Sequence, residues 1–221
     1  MSLQQQLSEI KTNIRSQIPE DVFQKFEESI QALDASGIAN NAPKIGDELN
    51  NFVLSNQLGQ QRSLAELRKT SPVVMVFYRG GWCPYCNLEL RAYQQILPRL
   101  KAVGAQLVAI TPELPDSSLS TVEKNELEFE VLSDVGTDYA KEIGLAFSLP
   151  EDLREIYANL GGDLEKFNGV GNFNLPIPAT LVVDTDGKVA FAHVDVDYTT
   201  RANPEDVLSV VRNIKVVPIS R

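Results

Sequence analysis

Histidine occurs once in these 221 residues, as His193, and cysteine only twice, as Cys83 and Cys86. That leaves too few ligands for a tetrahedral Cys/His zinc site built from this chain alone. No stretch approaches the roughly 18 consecutive apolar residues of a membrane span. The opening residues, MSLQQQLSEIKTNIRSQIP, lack the apolar core of a secretion signal. Positive charge is also scarce: 20 Lys and Arg stand against 30 Asp and Glu, a net charge of −10. This argues against nucleic acid or an anionic membrane as partner. There is no internal repeat and no low-complexity tract. The expectation is a soluble cytoplasmic protein without metal or cofactor. In a reducing compartment, an isolated Cys-x-x-Cys suits catalysis better than structural bracing.

What is present centres on residues 73–93, VVMVFYRGGWCPYCNLELRAY. Val73 to Tyr78 is a continuous β-branched and aromatic run, the pattern of a strand buried on both faces. Arg79, Gly80 and Gly81 end it, and after Cys86 the residues become good helix formers. The cysteines therefore sit where a buried strand turns into a helix. The unpaired N–H groups and dipole of a first helical turn favour a thiolate there. Pro84 suits that turn because its missing N–H has no use in it. Three-residue spacing puts both sulfurs on one side, within reach of a disulfide.

Apolar positions at Leu3, Leu7, Ile10, Ile14 and Ile18, then Val22, Phe23, Phe26, Ile30 and Leu33, predict two helices split at Pro19. Their stripe is either docked on the main domain or free as a dimerisation arm. Residues 37–43 read as a connector, giving an extension over 1–40 and a domain over 41–221. Within the latter, Asn50–Leu54 and Gln60–Ser63 predict a hairpin, and Ser63 with Glu66 a capping box for one helical turn. Pro98 predicts a kink or early stop in the Cys helix, with Gly104 as its end signal. A buried strand follows over Gln106–Thr111, then a loop over 112–118 and a helix over Ser120–Glu126. Phe129–Leu132 reads as a short strand and Asp138–Gly144 as a short helix. This alternation predicts βαβ units and a largely parallel sheet. Pro150–Leu160 is helical within a glycine-rich stretch, 145–176, that otherwise reads as a long surface loop forming part of a pocket or a variable insertion. Residues 176–184 enter a strand through proline, 188–194 return antiparallel, and Pro204–Ile214 closes the chain as an amphipathic helix.

From about Pro43 to Ile214 the chain resembles the thioredoxin-fold superfamily. Within it, the resemblance is to the peroxiredoxins of the alkyl hydroperoxide reductase and thiol-specific antioxidant group. Phe77-Tyr78 opens their motif, Cys86 falls at the peroxidatic position, and Glu89 and Ala92-Tyr93 follow at the family offsets. Arg79 stands at the family's proline position, Cys83 at its threonine, and Pro178 at its later arginine. Trp82-Cys83-Pro84-Tyr85-Cys86 also resembles thioredoxin and glutaredoxin active sites, and Ile177-Pro178 the cis-proline segment opposite the cysteines in that fold.

The resemblance implies a thioredoxin-like α/β fold, three layers α/β/α around a mixed sheet, with an N-terminal helical extension. It implies a thiol-dependent antioxidant enzyme reducing hydroperoxides through a Cys83–Cys86 disulfide, recharged by a thioredoxin- or glutathione-type donor. On the peroxiredoxin pattern Cys86 is struck first and Cys83 resolves; on the thioredoxin pattern, acting on disulfides, the more exposed Cys83 attacks. A redox-gated binding protein is a third reading. The expected supporting residues are Trp82, Pro84, Arg79, Glu89 and Pro178, with Arg79 or Arg91 supplying the cation; His193 reads as structural.

Overall fold

A computed structural model describes residues 1–214; residues 215–221 of the expected 41–221 domain lie outside the described part. The N-terminal stripe folds as helix α1 (Leu3–Gln17) and helix α2 (Glu20–Ala35), parted at Pro19. A capping box opens α1: the Ser2 hydroxyl accepts from the Gln5 N–H and the Gln5 side chain from that of Ser2. Leu3 and Leu7 are buried in the main core, so α1 is docked.

A short 3-10 turn, Ile38–Asn41, leads to the hairpin of strands β1 (Val53–Asn56) and β2 (Gln61–Ser63). One turn of helix, α3 (Leu64–Leu67), is capped by the Ser63 hydroxyl, which accepts from the Glu66 N–H. Next come β3 (Val73–Phe77), α4 (Pro84–Ala102), β4 (Gln106–Thr111), α5 (Pro115–Asn125), β5 (Glu130–Ser133) and α6 (Asp138–Glu142). Strand β6 (Ala146–Ser148), helices α7 (Glu151–Asn159) and α8 (Leu164–Asn168) and strand β7 (Asn174–Pro176) then precede β8 (Ala179–Val183), β9 (Val189–Val194) and α9 (Pro204–Asn213).

Four expectations are corrected here. Helix α4 does not stop early at Pro98 but continues to Ala102, because Tyr93, Ile96, Leu97 and Leu100 bury its inner face and outweigh one lost backbone bond. Helix α5 starts at Pro115, inside the stretch read as loop, where a first-turn proline is tolerated. Residues 145–176 carry their own small antiparallel sheet, β6–β7, and two helices, because Leu149, Leu153, Tyr157, Leu164 and Leu175 bury one another and Phe26. The main sheet is mixed rather than largely parallel: in the order β2-β1-β5-β4-β3-β8-β9, the β3–β4 and β4–β5 pairs are parallel and the rest antiparallel.

Strand alternation sorts the core into layers. Val74, Val76 and Tyr78 face the side covered by α1, α4 and α9. Val73, Met75 and Phe77 face the side covered by α3 and α6. The result is three layers, α/β/α, with β3 central and buried throughout. No helix among the described residues is long and apolar enough to cross a membrane.

Candidate active site

The end of β3 delivers the chain to the sulfurs through a tight elbow. The Tyr78 N–H bonds to Ile110 O, and the Cys83 N–H turns back to Gly80 O at 3.1 Å. Gly81 is obligatory by contact: a Cβ there would sit 2.0 Å from Thr121 Oγ1. Cys83 is the N-cap of α4 and Pro84 its first residue, as the sequence predicts. Asn87 secures the elbow, its amide nitrogen donating to Gly81 O at 2.8 Å and Cys83 O at 3.0 Å. Behind it, Asn125 donates to Asn87 Oδ1, and Arg91 donates to Asn125 Oδ1. Arg91 is therefore committed to this support.

Both cysteines are free thiols, and both are buried: Cys83 is 1% exposed and Cys86 0%. The expected difference in exposure is absent, because Trp82, Tyr85 and the N-terminal helices crowd the mouth of α4. What separates the sulfurs is their surroundings. Cys83 lines a cavity of about 250 Å³, together with Arg79, Trp82, Tyr157 and residues of α1 and α2; Cys86 does not. Cys86 instead faces inward to Arg201, whose Nη2 lies 3.2 Å from its sulfur.

Arg201 supplies the cation at Cys86. Its Nε donates to Glu89, the two side chains forming a fully buried pair, and its Nη1 donates to the carbonyls of Tyr198 and Thr200. Thr180 and Tyr93 extend this network, the Tyr93 hydroxyl lying 3.3 Å from Thr180 Oγ1. Arg79, the other expected cation, lies on the cavity side. Its guanidinium is stacked 4.1 Å from the Tyr198 ring centre and donates to the Tyr157 hydroxyl at 2.6 Å. Trp82 meets Tyr157 edge-on, and Gly162 packs so closely on the indole that a Cβ would approach it to 2.8 Å.

The charges sort the two thiols. Burial alone would push Cys83 up, but a hydrogen bond from Cys86 and the cations Arg79 and Arg201 bring it down to about 6. Burial, the hydrogen bond to Cys83 and that neighbour's charge push Cys86 up, against the pull of Arg201 and Arg79. These surroundings favour the thiolate at Cys83 and disfavour it at Cys86. Burial raises Glu89 to about 7 despite Arg201. It raises Glu113 to about 7 as well; one Glu113 oxygen accepts from the Gly81 N–H at 3.0 Å and the other has no partner.

Pro178 departs from expectation. No cis peptide bond occurs among the described residues. The chain passes extended from β7 into β8, anchored by the Ile177 N–H on Leu145 O, and a trans bond follows that path. Pro178 shares a small cavity with Arg79, Tyr157 and Tyr198 rather than with either cysteine. His193 lies on β9, opposite Thr180 of β8.

Residues 45–192 match the model of the AhpC/TSA family. The chain belongs to the AhpC/TSA family. Among similar members, chloroplastic peroxiredoxin Q of Populus jackii is 34% identical over 102 residues, 46% of each chain. Chloroplastic peroxiredoxin Q of Triticum aestivum is 31% identical over 168 residues, 74% of this chain and 64% of that one. The chain spans about half the length of the first of these curated relatives. Among solved structures, peroxidoxin BcpB of Mycobacterium tuberculosis superposes with a TM-score of 0.62 at 23% identity, covering 78% of this chain and 99% of that one. This likeness confirms the thioredoxin-like peroxiredoxin fold.

The AhpC/TSA match also explains what the sequence concealed. Arg201 lies beyond residue 192, just after the irregular turn Asp195–Thr200, and no local pattern marks it as an active-site cation. That turn is shaped by Asp197, which accepts from the Thr199 N–H, and by Asp195, which accepts from the Thr200 hydroxyl. Asn125 and Glu113 were missed for a related reason: their roles arise from neighbours 30 or more positions away, as in Asn125–Asn87, separated by 38, and Gly81–Glu113, separated by 32.

Proposed function

We propose that the chain is a thiol peroxidase in which Cys83 strikes the hydroperoxide and Cys86 closes the disulfide. One observation carries this reading: Cys83 lines the cavity, while Cys86 stands behind it against Arg201. The Cys83 thiolate attacks the terminal oxygen of the hydroperoxide and the O–O bond breaks. The alkoxide, or hydroxide, leaves with a proton from solvent, and Cys83 becomes a sulfenic acid. The Cys86 sulfur then attacks that of Cys83. Its proton leaves with the hydroxide as water, and the S–S bond holds the two oxidised sulfurs. Two electrons pass from the dithiol to the peroxide, and a thioredoxin- or glutathione-type thiol donor in the reducing cytoplasm returns them.

A second reading, thiol–disulfide exchange through the same Cys83, draws support from the Trp82-Cys83-Pro84-Tyr85-Cys86 order at the N-cap of α4. The test is stopped-flow mixing of Cys83→Ser and Cys86→Ser variants with hydroperoxide, reading sulfenic acid. Rapid formation in Cys86→Ser and none in Cys83→Ser supports the proposal. The opposite pattern reverses the roles. Slow oxidation of both, with mixed disulfides trapped on Cys83, favours the second reading.

A further inference from the structure

The family match begins at residue 45, yet helices α1 and α2, which end at Ala35, build one side of the cavity over Cys83. Ile14, Ile18, Phe23, Phe26 and Ile30 form this wall, facing Trp82 and Tyr157. The wall is fixed in place. Leu3 and Leu7 anchor α1 in the main core, and Phe26 packs edge-on against Tyr157 at 5.6 Å between ring centres. Lys11 of α1 lies 3.7 Å from Asp197, in the turn that precedes Arg201.

Two features describe what fits. The cavity encloses about 250 Å³, whereas an apolar cavity of about 150 Å³ holds a benzene ring. An aryl group or branched alkyl chain therefore fits. Most of the wall is apolar, so each methylene a ligand buries there strengthens binding roughly fourfold; hydrogen peroxide has none to bury.

We propose that α1 and α2 are the specificity-determining wall of the active site, selecting organic hydroperoxides with a bulky apolar body over hydrogen peroxide. This rests on the peroxidase reading of Cys83 given above, and it adds elements that the family match does not contain.

The test uses the full chain. Cumene hydroperoxide and hydrogen peroxide are compared by kcat/KM. Cumyl alcohol, the unreactive product of the former, is titrated against the fluorescence of Trp82, the only tryptophan. Two variants alter half-buried wall positions: Ile14→Phe/Ile30→Phe fills the cavity, and Ile14→Asn/Ile30→Asn leaves it open but polar. The expected result is a preference for cumene hydroperoxide of about tenfold or more, the equivalent of two buried methylenes, with saturable cumyl alcohol binding. Both diminish in both variants. An unchanged preference in the variants, or a wild-type preference for hydrogen peroxide, overturns the proposal. Turnover of peroxide without cumyl alcohol binding overturns the wall and leaves the peroxidase reading standing. Saturable cumyl alcohol binding without turnover of either peroxide overturns the peroxidase reading and the peroxide as ligand.

Discussion

Arg201 donates to the sulfur of Cys86 at 3.2 Å across 115 positions of sequence, and the same guanidinium holds the buried carboxylate of Glu89. One cation therefore serves both the inner thiol and the helix that carries it. Arg201→Met strands the Glu89 charge, and removing one member of a buried pair costs about 3–5 kcal/mol. Urea denaturation of the reduced protein should show a loss of that size, and the double variant Arg201→Met/Glu89→Gln should recover part of it.

The charge on Cys83 gives a signed pH dependence. The thiolate is the reactive form, and its titration is brought down to about 6. Alkylation of the wild-type dithiol by iodoacetamide should rise through that pH, level off above it, and fall about tenfold per unit below it. Arg79→Met removes a cation that favours the thiolate, so the midpoint should move up. A midpoint unchanged in that variant removes Arg79 from the account.

Gly81 offers a test of the elbow. A Cβ 2.0 Å from Thr121 Oγ1 forces α5 or the elbow to shift, and overpacking of this kind costs typically about 1–3 kcal/mol. Gly81→Ala should lower the thermal midpoint and slow oxidation of Cys83 together.

Asn87 is expected to matter as much to chemistry as to stability. Asn87→Ala removes the donor shared by Gly81 O and Cys83 O and leaves one of the two Asn125 amide N–H groups without its acceptor, the other keeping Thr121 O. Unsatisfied buried groups cost about 1–3 kcal/mol. Chemical denaturation should report that loss, and stopped-flow oxidation should slow in parallel.

Much of the architecture is legible in local sequence. The apolar run from Val73 to Tyr78, the glycines after it and Pro84 at the first helical position are enough to place the cysteines at a strand-to-helix elbow. Chain polarity is less legible. Strand β9 returns antiparallel as its tight turn predicts, but β8 reads as an apolar run like β3 and β4, and nothing in that run tells a parallel partner from an antiparallel one. Pro98 misleads because its cost is set against side chains packed on its neighbours, a tertiary effect. At the site, most residues beside the cysteines were visible, whereas Arg201, Glu113 and Asn125 gain their roles from long-range contacts. The resemblance to thioredoxin suggested a cis bond before Pro178, but the extended path from β7 to β8 carries a trans one.

The position of Arg201 has a practical consequence. A fragment cut at 45 and 192 keeps both thiols, the elbow and the middle of the sheet. It discards the guanidinium that donates to the inner sulfur and the two helices that roof the outer one. Such a fragment would present the right motif in the wrong solvent, with Glu89 left as a lone buried acid. Homology limits here cut through a working part.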